Sequence, residues 1–258
     1  MPDTQTAESP LDRLAGDLAG SGYAILPSEE MRSHLSTDAA ASWAAFADSW
    51  NDLGQDIYMA DGGRYRRRRH AVFRLCDSVL TRLPHQPHFQ SRDYNTLNGG
   101  VQRWFEPVLP EVADNPVLHD LGAFAQSVLD RVDPLGAAEA WRAEMHQFRI
   151  EAQADAPGLP TPEGMHRDGV DWVMVLLVNR TNVEAGVTRI AAPGGESLGE
   201  FVLERPLDAV FVDDHRVFHG VTPVTPRDAT APAFRDALVL TFRREDLNDP
   251  ASGKPVLA

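Results

Sequence analysis

The spacing of apolar residues divides this chain into two parts. Up to about residue 140, apolar residues recur three or four positions apart in several segments, which is the period of an amphipathic helix. Helices are predicted over Leu11–Ala19, from Ser28 to about Trp50 with a break near Ser36–Thr37, and over Asn115–Val132. Ser28 and Asn115 are residue types that cap helix N-termini. Strands are predicted in the same part over Tyr23–Pro27 and Arg66–Leu75.

From about residue 143 onwards the pattern becomes that of strands. Polar and apolar residues alternate along Glu144–Gln153, and Asp171–Asn179 contains a continuous apolar run typical of a strand buried on both faces. Further strands are predicted over Val187–Ala192, Glu200–Leu203, Ala209–Asp213, Arg216–Val221 and Arg235–Arg243, with turns at 179–182, 193–195 and 223–226. The sequence therefore predicts a mainly β protein with a helical N-terminal half, in the α+β class.

The composition limits the domain count and the partners. The 258 residues are 43% hydrophobic and contain no clear linker, so one domain over 1–258 is expected, with a helical and mixed part over 1–140 and a β core over 141–247. The composition of residues 1–9 predicts a disordered tail without the features of a signal peptide. No apolar run in the sequence is long enough to span a membrane. The single Cys76 suits a reducing cytoplasm. The net charge of −14 argues against nucleic-acid or anionic-membrane partners.

The strongest candidate chemistry lies in a His-x-Asp triplet and a distant histidine. If Met165–Asp168 is extended, His166 and Asp168 point to the same side, because side chains alternate along a strand. His219 ends another strand-like segment. Two histidines and one carboxylate on one face of a metal ion, with its other positions open, are the ligand set of non-haem Fe(II) oxygenases. The β core is thus predicted to hold a metal site.

The residues around these positions carry a family resemblance. The segments TPEGMHRDGVDWV, NRTNVEAG, DDHRVFHGVTPV and, upstream, HFQSRDYNTLNGGVQRWFEPV resemble the Fe(II)/2-oxoglutarate-dependent dioxygenases. They resemble in particular the bacterial L-isoleucine dioxygenase-like branch, whose members hydroxylate free amino acids. The resemblance covers roughly residues 20–245. It implies a double-stranded β-helix, or jelly roll, as the core, and Fe(II), 2-oxoglutarate and O2 as cofactors.

The resemblance also implies roles for single residues. His166, Asp168 and His219 would bind the iron, and Arg235, at the start of the last strand, would pair with the far carboxylate of 2-oxoglutarate. Thr241 shares a face with Arg235 by alternation. Three residues, Arg235, Thr241 and Arg149, are therefore the candidate cosubstrate-binding residues. Two alternatives stay open: Arg227 in place of Arg235, and His215 in place of His219, although His215 is expected to be a salt-bridged turn residue.

The expected substrate is a free aliphatic or thioether L-amino acid, hydroxylated at an unactivated carbon. Residues in Arg66–Arg69 or Arg149 are the candidates for its carboxylate, and Glu151, Glu163 or Asp171 for its ammonium group. The favoured interpretation of the basic run is nevertheless a solvated strand paired with acidic neighbours. Alternation would place Arg66 and Arg68 on one side of it.

Two polar segments have less specific interpretations. Gln147, Arg149 and Glu151 share one face of their predicted strand, and this face either lines the interior or is solvated. Residues 84–100 predict a loop that covers the pocket through Asn95, Asn98 and Gly99–Gly100. His85 and His88 are assigned to this loop rather than to a second metal site, because no further ligands stand beside them.

Two other functions are compatible with the same residues. In one, the iron chemistry ends in desaturation, cyclisation or sulfoxidation during natural-product biosynthesis. In the other, the chain is a cupin-like binding module without redox turnover. The oligomeric state stays open, with a homodimer as one alternative.

Overall fold

The computed structural model of this protein describes residues 9–245. Its helices are α1 (Pro10–Ser21), α2 (Ser28–Ser33), α3 (Thr37–Asp48), α4 (Pro110–Ala113) and α5 (Pro116–Val132). Its strands are β1 (Tyr23–Leu26), β2 (Gly54–Gln55), β3 (Arg66–Cys76), β4 (Val79–Arg82), β5 (Ala140–Ala152), β6 (Trp172–Thr181), β7 (Val183–Ala185), β8 (Thr188–Ala191), β9 (Ser197–Phe201), β10 (Ala209–Asp213), β11 (Phe218–Val221), β12 (Val224–Pro226) and β13 (Ala233–Glu245). Residues 1–8 of the predicted tail and residues 246–247 of the predicted β core lie outside this range.

The helix boundaries follow the capping residues, with one exception. Ser36 caps α3 by accepting a hydrogen bond from the Ala39 N–H, so the predicted break before it is confirmed. Asn115 caps α5 as expected. The prediction that Ser28 caps a helix is wrong. Ser28 is the first helical residue of α2 and its hydroxyl donates to the Pro206 carbonyl, while the extended Pro27 occupies the cap position.

A large antiparallel sheet separates the helices from the rest of the protein. Its eight strands include the order β1-β10-β6-β13-β5-β3-β2, with β4 paired to β3. One face of the sheet packs against α1, α3 and α5, because alternate residues of its strands are apolar and buried there. Trp141, Phe211 and Phe242 on this face are fully buried. The opposite face of the sheet is therefore available to line a cavity.

Smaller sheets cover the opposite face. One has the order β11-β8-β9 and the other pairs β12 with β7. Ile190 and Val217 pack with Val173 and Val210 of the main sheet, which closes a second apolar cluster. The predicted turn at 223–226 is wrong at its last three residues, since Val224–Pro226 is strand β12. A short pairing with β7 and the complete burial of Val224 hold this segment extended.

The described residues thus form a mainly β fold with helices, as predicted. Strands β1 and β3 of the N-terminal part lie in the same sheet as β5, β6 and β13 of the C-terminal part. The ladder between β5 and β13 runs from the pair Ala140 and Glu245 to the pair Ala152 and Ala233. Among residues 9–245, no helix has the length and apolar character needed to cross a membrane.

Candidate active site

His166, Asp168 and His219 lie together on the wall of a cavity between the sheets. The two histidines form an antiparallel bridge, in which each backbone N–H donates to the other residue's carbonyl at 2.9 Å. The Asp168 carboxylate reaches both rings: its Oδ1 is 3.6 Å from His166 Nε2 and its Oδ2 is 3.4 Å from His219 Nε2. One ligand atom from each residue lies within 4.8 Å of the others. The three side chains can therefore share one metal ion.

Backbone contacts hold the segment that carries Asp168. The buried Asp214 carboxylate accepts the N–H groups of Asp168, Gly169 and Val170 at 2.9, 2.7 and 3.1 Å. Gln90 donates to the Asp168 carbonyl at 3.0 Å. Gly169 has a φ of +78°, and a Cβ at this position would meet the ring of Tyr94 at 2.6 Å. This turn thus favours glycine for its backbone conformation and for its close contact with the loop above it.

The charges of these groups suit a divalent cation. Burial lowers the pKa of His166, but the hydrogen bond and charge of Asp168 outweigh it and raise the pKa to about 9. Burial raises the pKa of Asp168, but hydrogen bonds with His166 and His219 hold it well below its usual value. The carboxylate is therefore ionised and ready to bind a cation. Metal binding displaces the extra proton of His166, and two neutral imidazoles with an ionised carboxylate then fit Fe(II).

Arg235 lines the same cavity, and no residue among 9–245 forms an ion pair with it. Its side chain is 3% exposed, and its Nε and Nη2 atoms are buried with no hydrogen-bond acceptor. Burial, with a smaller contribution from Arg180, lowers its pKa to about 10, so the guanidinium remains charged at neutral pH. A buried, unpaired guanidinium is costly unless a ligand anion meets it. Thr241 lies on the cavity face of the same strand, as alternation from Arg235 predicts. These residues fit a cosubstrate carboxylate.

Two other arginines considered for the cosubstrate lie elsewhere. Arg149 was expected to bind it, but its guanidinium makes a two-point ion pair with Asp236, at 2.7 and 2.8 Å, and does not line the cavity. Strand β5 turns its other face inwards. Arg227 lies beside a separate surface depression with Arg180 and Arg205. The geometry therefore leaves Arg235 as the cosubstrate candidate and corrects the expectation for Arg149.

The polar residues on the cavity face of β5 differ from those expected. Gln147 is fully buried against the 3-10 turn that follows α3, where its Nε2 donates to Ser49 Oγ at 2.9 Å. Glu144, His146 and Phe148 line the cavity instead. Alternation correctly grouped the residues by face. Which face is inward depends on the packing of α3 and its 3-10 turn against the sheet, which the sequence does not specify.

The basic run Arg66–Arg69 is not a solvated strand, so that part of the favoured interpretation is wrong, whereas the expected acidic partners are present. Arg66 and Arg68 are 5% and 4% exposed and line the cavity. Arg67, on the other face, is 41% exposed at its side chain and pairs with Glu151 at 2.7 Å. The inward arginines are possible because β3 lies inside the sheet beside β5, with Asp56 as a buried counter-ion. The predicted sharing of one side by Arg66 and Arg68 is confirmed.

A second group of side chains was missed by the sequence analysis. His88 meets His70, Glu144 and His146 in the described structure, although no further ligands were expected around it. Glu144 Oε2 accepts from His70 Nε2 at 3.0 Å and from His88 Nδ1 at 2.9 Å. Burial lowers the pKa of His88 to about 4, so its ring is neutral at pH 7. These partners are far apart in sequence, so their spacing alone gives no signal.

His215 and the loop over 84–100 lie largely as the sequence predicts. His215 is exposed and pairs with Asp171 at 2.8 Å, as a salt-bridged turn residue. The loop over 84–100 contributes Phe89, Gln90 and Asn95 to the cavity wall. Asn98 instead supports the loop, since its Oδ1 accepts from the Ala60 N–H at 2.9 Å.

Comparison with known proteins identifies the family to which this chain belongs. Residues 47–241 match the family described as 2OG-Fe dioxygenase. The chain belongs to this family. Its members use Fe(II), 2-oxoglutarate and O2, which are therefore the cofactors of this enzyme, and the donor set described above agrees with them. When bound, the iron and the 2-oxo acid activate O2 for oxidation of a substrate.

Two curated relatives indicate the branch of the family. The chain is 27% identical over 241 residues to the 3(1)-hydroxy-L-isoleucine 4-dioxygenase of Pantoea ananatis, an alignment that covers 90% of this chain and 96% of that protein. It is 29% identical over 156 residues to the L-isoleucine-4-hydroxylase of Bacillus thuringiensis. This second alignment covers 60% of this chain and 64% of that protein, just under two thirds of its length.

Solved structures have the same fold. A crystal structure of a bsmA homolog from Methylobium petroleophilum PM1 has a TM-score of 0.81 at 34% identity and covers 93% of this chain and 96% of that one. The structure of IDO from Bacillus thuringiensis has a TM-score of 0.76 at 20% identity, with 92% of this chain and 100% of that chain covered. The second comparison concerns the fold alone.

Proposed function

We propose that this dioxygenase hydroxylates a free aliphatic or thioether L-amino acid at an unactivated carbon. The overall reaction consumes the amino acid, 2-oxoglutarate and O2 and releases the hydroxy amino acid, succinate and CO2, so one oxygen atom enters each organic product. The observation that carries this proposal is the cavity that joins the His166, Asp168 and His219 group to the unpaired Arg235. The two curated relatives are named for reactions of isoleucine or a hydroxyisoleucine.

The residues of the chain have separate tasks in this proposal. His166, Asp168 and His219 bind Fe(II), and the ionised Asp168 contributes the negative charge of that site. Arg235 fixes the far carboxylate of 2-oxoglutarate by a charge-assisted pair, and the Thr241 hydroxyl lies on the same face to add a hydrogen bond. The apolar side chains of Val173, which is buried, and of other strand residues exclude water from the wall. The protein thus binds, orients and shields the reacting groups.

We also infer that the facing sheets form a double-stranded β-helix within a single domain. The order β5-β13-β6-β10 in one sheet, and the bridge at His166 followed by β11-β8-β9 in the other, support this arrangement. The iron site then lies where the two sheets face each other, at His166 and His219. The continuous pairing of β3 with β5 supports one folding unit. The single Cys76 supports a cytoplasmic location.

Reconstitution of the purified protein tests the proposal. The protein is loaded with Fe(II) and 2-oxoglutarate without oxygen, exposed to air with a panel of free amino acids, and assayed for succinate and for product mass. With aliphatic or thioether amino acids, we expect one succinate for each amino acid that gains the mass of one oxygen atom. The His166→Ala variant is the control and should form neither product.

Other outcomes distinguish the remaining functions. Succinate with a mass loss of two hydrogens from the amino acid indicates desaturation or cyclisation in place of hydroxylation. Succinate with carrier-bound or peptide substrates, and little with free amino acids, overturns the substrate class. No succinate with any substrate, from protein that binds iron, indicates a binding module without turnover.

A further inference from the structure

One part of the cavity wall, around Arg66, Arg68, Arg103 and Asp56, carries more positive than negative charge. Arg66 Nε lies 2.7 Å from Asp56 Oδ2, and Arg68 Nη1 lies 3.7 Å from the same oxygen. Arg103, which acts electrostatically on Arg68, has no ion pair among the described residues, and its Nη2 makes one long hydrogen bond to Gln90 Oε1 at 3.4 Å. Two guanidiniums therefore share one buried carboxylate, and the third has no carboxylate partner among the described residues.

Two of these guanidiniums have atoms that nothing satisfies. The Nε atoms of Arg68 and Arg103 are buried and have no hydrogen-bond acceptor. Both residues line the cavity, with exposures of 4% and 2%. Burial, and then the charge of Arg66, lowers the pKa of Arg103 to about 10, which leaves it charged at neutral pH. A buried cation with free donors calls for an anion in the cavity.

Aromatic rings restrict how that anion can approach. The Arg68 guanidinium carbon is 3.7 Å from the ring centre of Phe105 and 4.5 Å from that of Phe148. Both rings lie against the guanidinium, whose N–H groups donate from its edge. His146 Nδ1 takes one Nη2 hydrogen at 2.6 Å. A planar carboxylate suits the remaining edge and the neighbouring Arg103, because guanidinium and carboxylate match in shape.

One carboxylate in the same cavity has an oxygen atom that accepts no hydrogen bond from any described residue. Glu163 lines the cavity, its side chain is 9% exposed, and its Oε2 is buried with no hydrogen-bond donor. Its Oε1 is 3.7 Å from His166 Nε2, close to the proposed iron. Its charge also favours the protonated form of Arg103. Glu144 is different, since one of its oxygens already accepts from two imidazoles. The Oε2 atom of Glu163 is thus available, among the described residues, to accept from a cation.

We propose that Arg103, with Arg68 beside it, binds the α-carboxylate of the substrate and that Glu163 binds its ammonium group. The inference rests on the proposed oxidation of a free amino acid and names the residues that select it. Arg235 is reserved for 2-oxoglutarate, so the two carboxylates in the cavity meet different guanidiniums. An analogue that lacks either charge leaves a buried group of the protein unpaired and is therefore rejected.

Paired changes in protein and substrate test this assignment. The substrates are the best free amino acid, its methyl ester and its 2-hydroxy acid analogue, and the protein variants are Arg103→Met, Arg103→Lys and Glu163→Gln. Arg67→Met is the matched control, since Arg67 is on the outer face of β3 and pairs with Glu151. For each combination, kcat/KM and the KM for 2-oxoglutarate are measured. Binding of the amino acid is measured by calorimetry without oxygen, where no turnover occurs.

We expect the wild type to prefer the acid over the ester strongly. Arg103→Met should reduce that preference about tenfold to hundredfold, with calorimetric affinity for the amino acid falling by a similar factor and the KM for 2-oxoglutarate unchanged. Arg103→Lys keeps the charge but not the planar group. Its preference for the acid over the ester should therefore lie between that of the wild type and that of Arg103→Met. Glu163→Gln should instead reduce the preference for the amino acid over the 2-hydroxy acid. Arg67→Met should retain both preferences.

The opposing results are equally specific. If Arg103→Met and Arg103→Lys keep the preference for acid over ester, the carboxylate assignment is wrong even though free amino acids are oxidised. If the KM for 2-oxoglutarate rises instead, Arg103 serves the cosubstrate. If Glu163→Gln leaves discrimination against the 2-hydroxy acid intact, the ammonium assignment is wrong. A wild type that oxidises esters or carrier-bound substrates better than free acids refutes the proposed function itself.

Discussion

At the scale of single residues, the site is defined by charged groups that are buried without partners. Arg235 is the simplest case, because it is almost fully buried, lines the cavity and has two free donor atoms. An ordinary structural arginine at such a depth has a carboxylate partner, as Arg66 has in Asp56. The lack of a protein partner at Arg235 therefore indicates a ligand anion.

Removing the Arg235 guanidinium should weaken binding of 2-oxoglutarate selectively. Loss of a charged hydrogen-bond partner costs about 1.5–3 kcal/mol, which corresponds to roughly a tenfold to hundredfold rise in the apparent constant for 2-oxoglutarate in Arg235→Ala. The constant for the amino acid should change much less. Arg227→Ala is the control, since Arg227 lies in the separate surface depression. An Arg227→Ala variant with the larger effect would reverse the assignment.

Alanine variants also distinguish the two candidates for the second histidine ligand of the iron, His219 and His215. His219→Ala should abolish turnover and reduce iron binding from about one equivalent to a small fraction, because two protein ligands hold a metal far less well than three. His215→Ala should retain both, since that exposed ring pairs with Asp171. Metal analysis and the succinate assay measure the two effects. Activity lost only in His215→Ala would contradict the geometry.

At the scale of elements, the iron site depends on the turn between the bridge at His166 and strand β6. Three N–H groups of this turn point at one carboxylate, that of Asp214, which follows strand β10. Asp214 also lies 4.0 Å from His219 Nδ1. It therefore holds the segment that carries Asp168 by hydrogen bonds, and it lies near His219 without a hydrogen bond to that ring.

Loss of Asp214 should loosen the iron site more than it affects the chemistry. Outer contacts of this kind typically change metal affinity about tenfold to hundredfold, so Asp214→Ala should need more Fe(II) for half-maximal activity and recover at high Fe(II). Asp213→Asn is the matched control, because its carboxylate accepts the His215 N–H and does not contact the turn. A loss of activity that added iron fails to restore would show that Asp214 acts in some other way.

At the scale of the whole molecule, the surface and the cavity carry opposite charge. The chain has a formal charge of −14, yet the cavity is lined by arginines from three parts of the sequence, including Arg68, Arg103 and Arg235. The net charge therefore does not describe the field that a ligand meets inside. An acidic surface and a basic interior are compatible because the two sets of side chains are separated by the sheet walls.

The molecule should bind one iron per chain, although residues 9–245 contain two groups of side chains of metal-ligand types. In the second group, His146 Nδ1 accepts from Arg68, so its proton lies on Nε2 and blocks that atom as a ligand. Arg142 and Arg68 also oppose a second cation there. Metal analysis of the loaded wild type should give about one equivalent, and His88→Gln should leave that value unchanged. Two equivalents, reduced to one by His88→Gln, would establish a second site.

The sequence alone indicated the type of most of the longer elements, the proposed metal triplet and the grouping of residues by face. These features are local, since alternation and helical spacing act over a few residues. The sequence correctly predicted that Arg66 and Arg68 lie on the same side of their strand. It also correctly predicted that Thr241 and Arg235 lie on the same face of theirs. It also contained Arg103 and Glu163 without any local sign that they face a cavity.

Only the tertiary structure decided which face turns inwards. The α3 segment and its 3-10 turn cover Gln147, which leaves His146 and Phe148 for the cavity, and Asp56 makes inward arginines tolerable in β3. His88 meets Glu144 because loop and strand are packed together, not because of their spacing. Strand alternation has two equivalent faces, and the choice between them depends on the partners that the rest of the chain brings to each one.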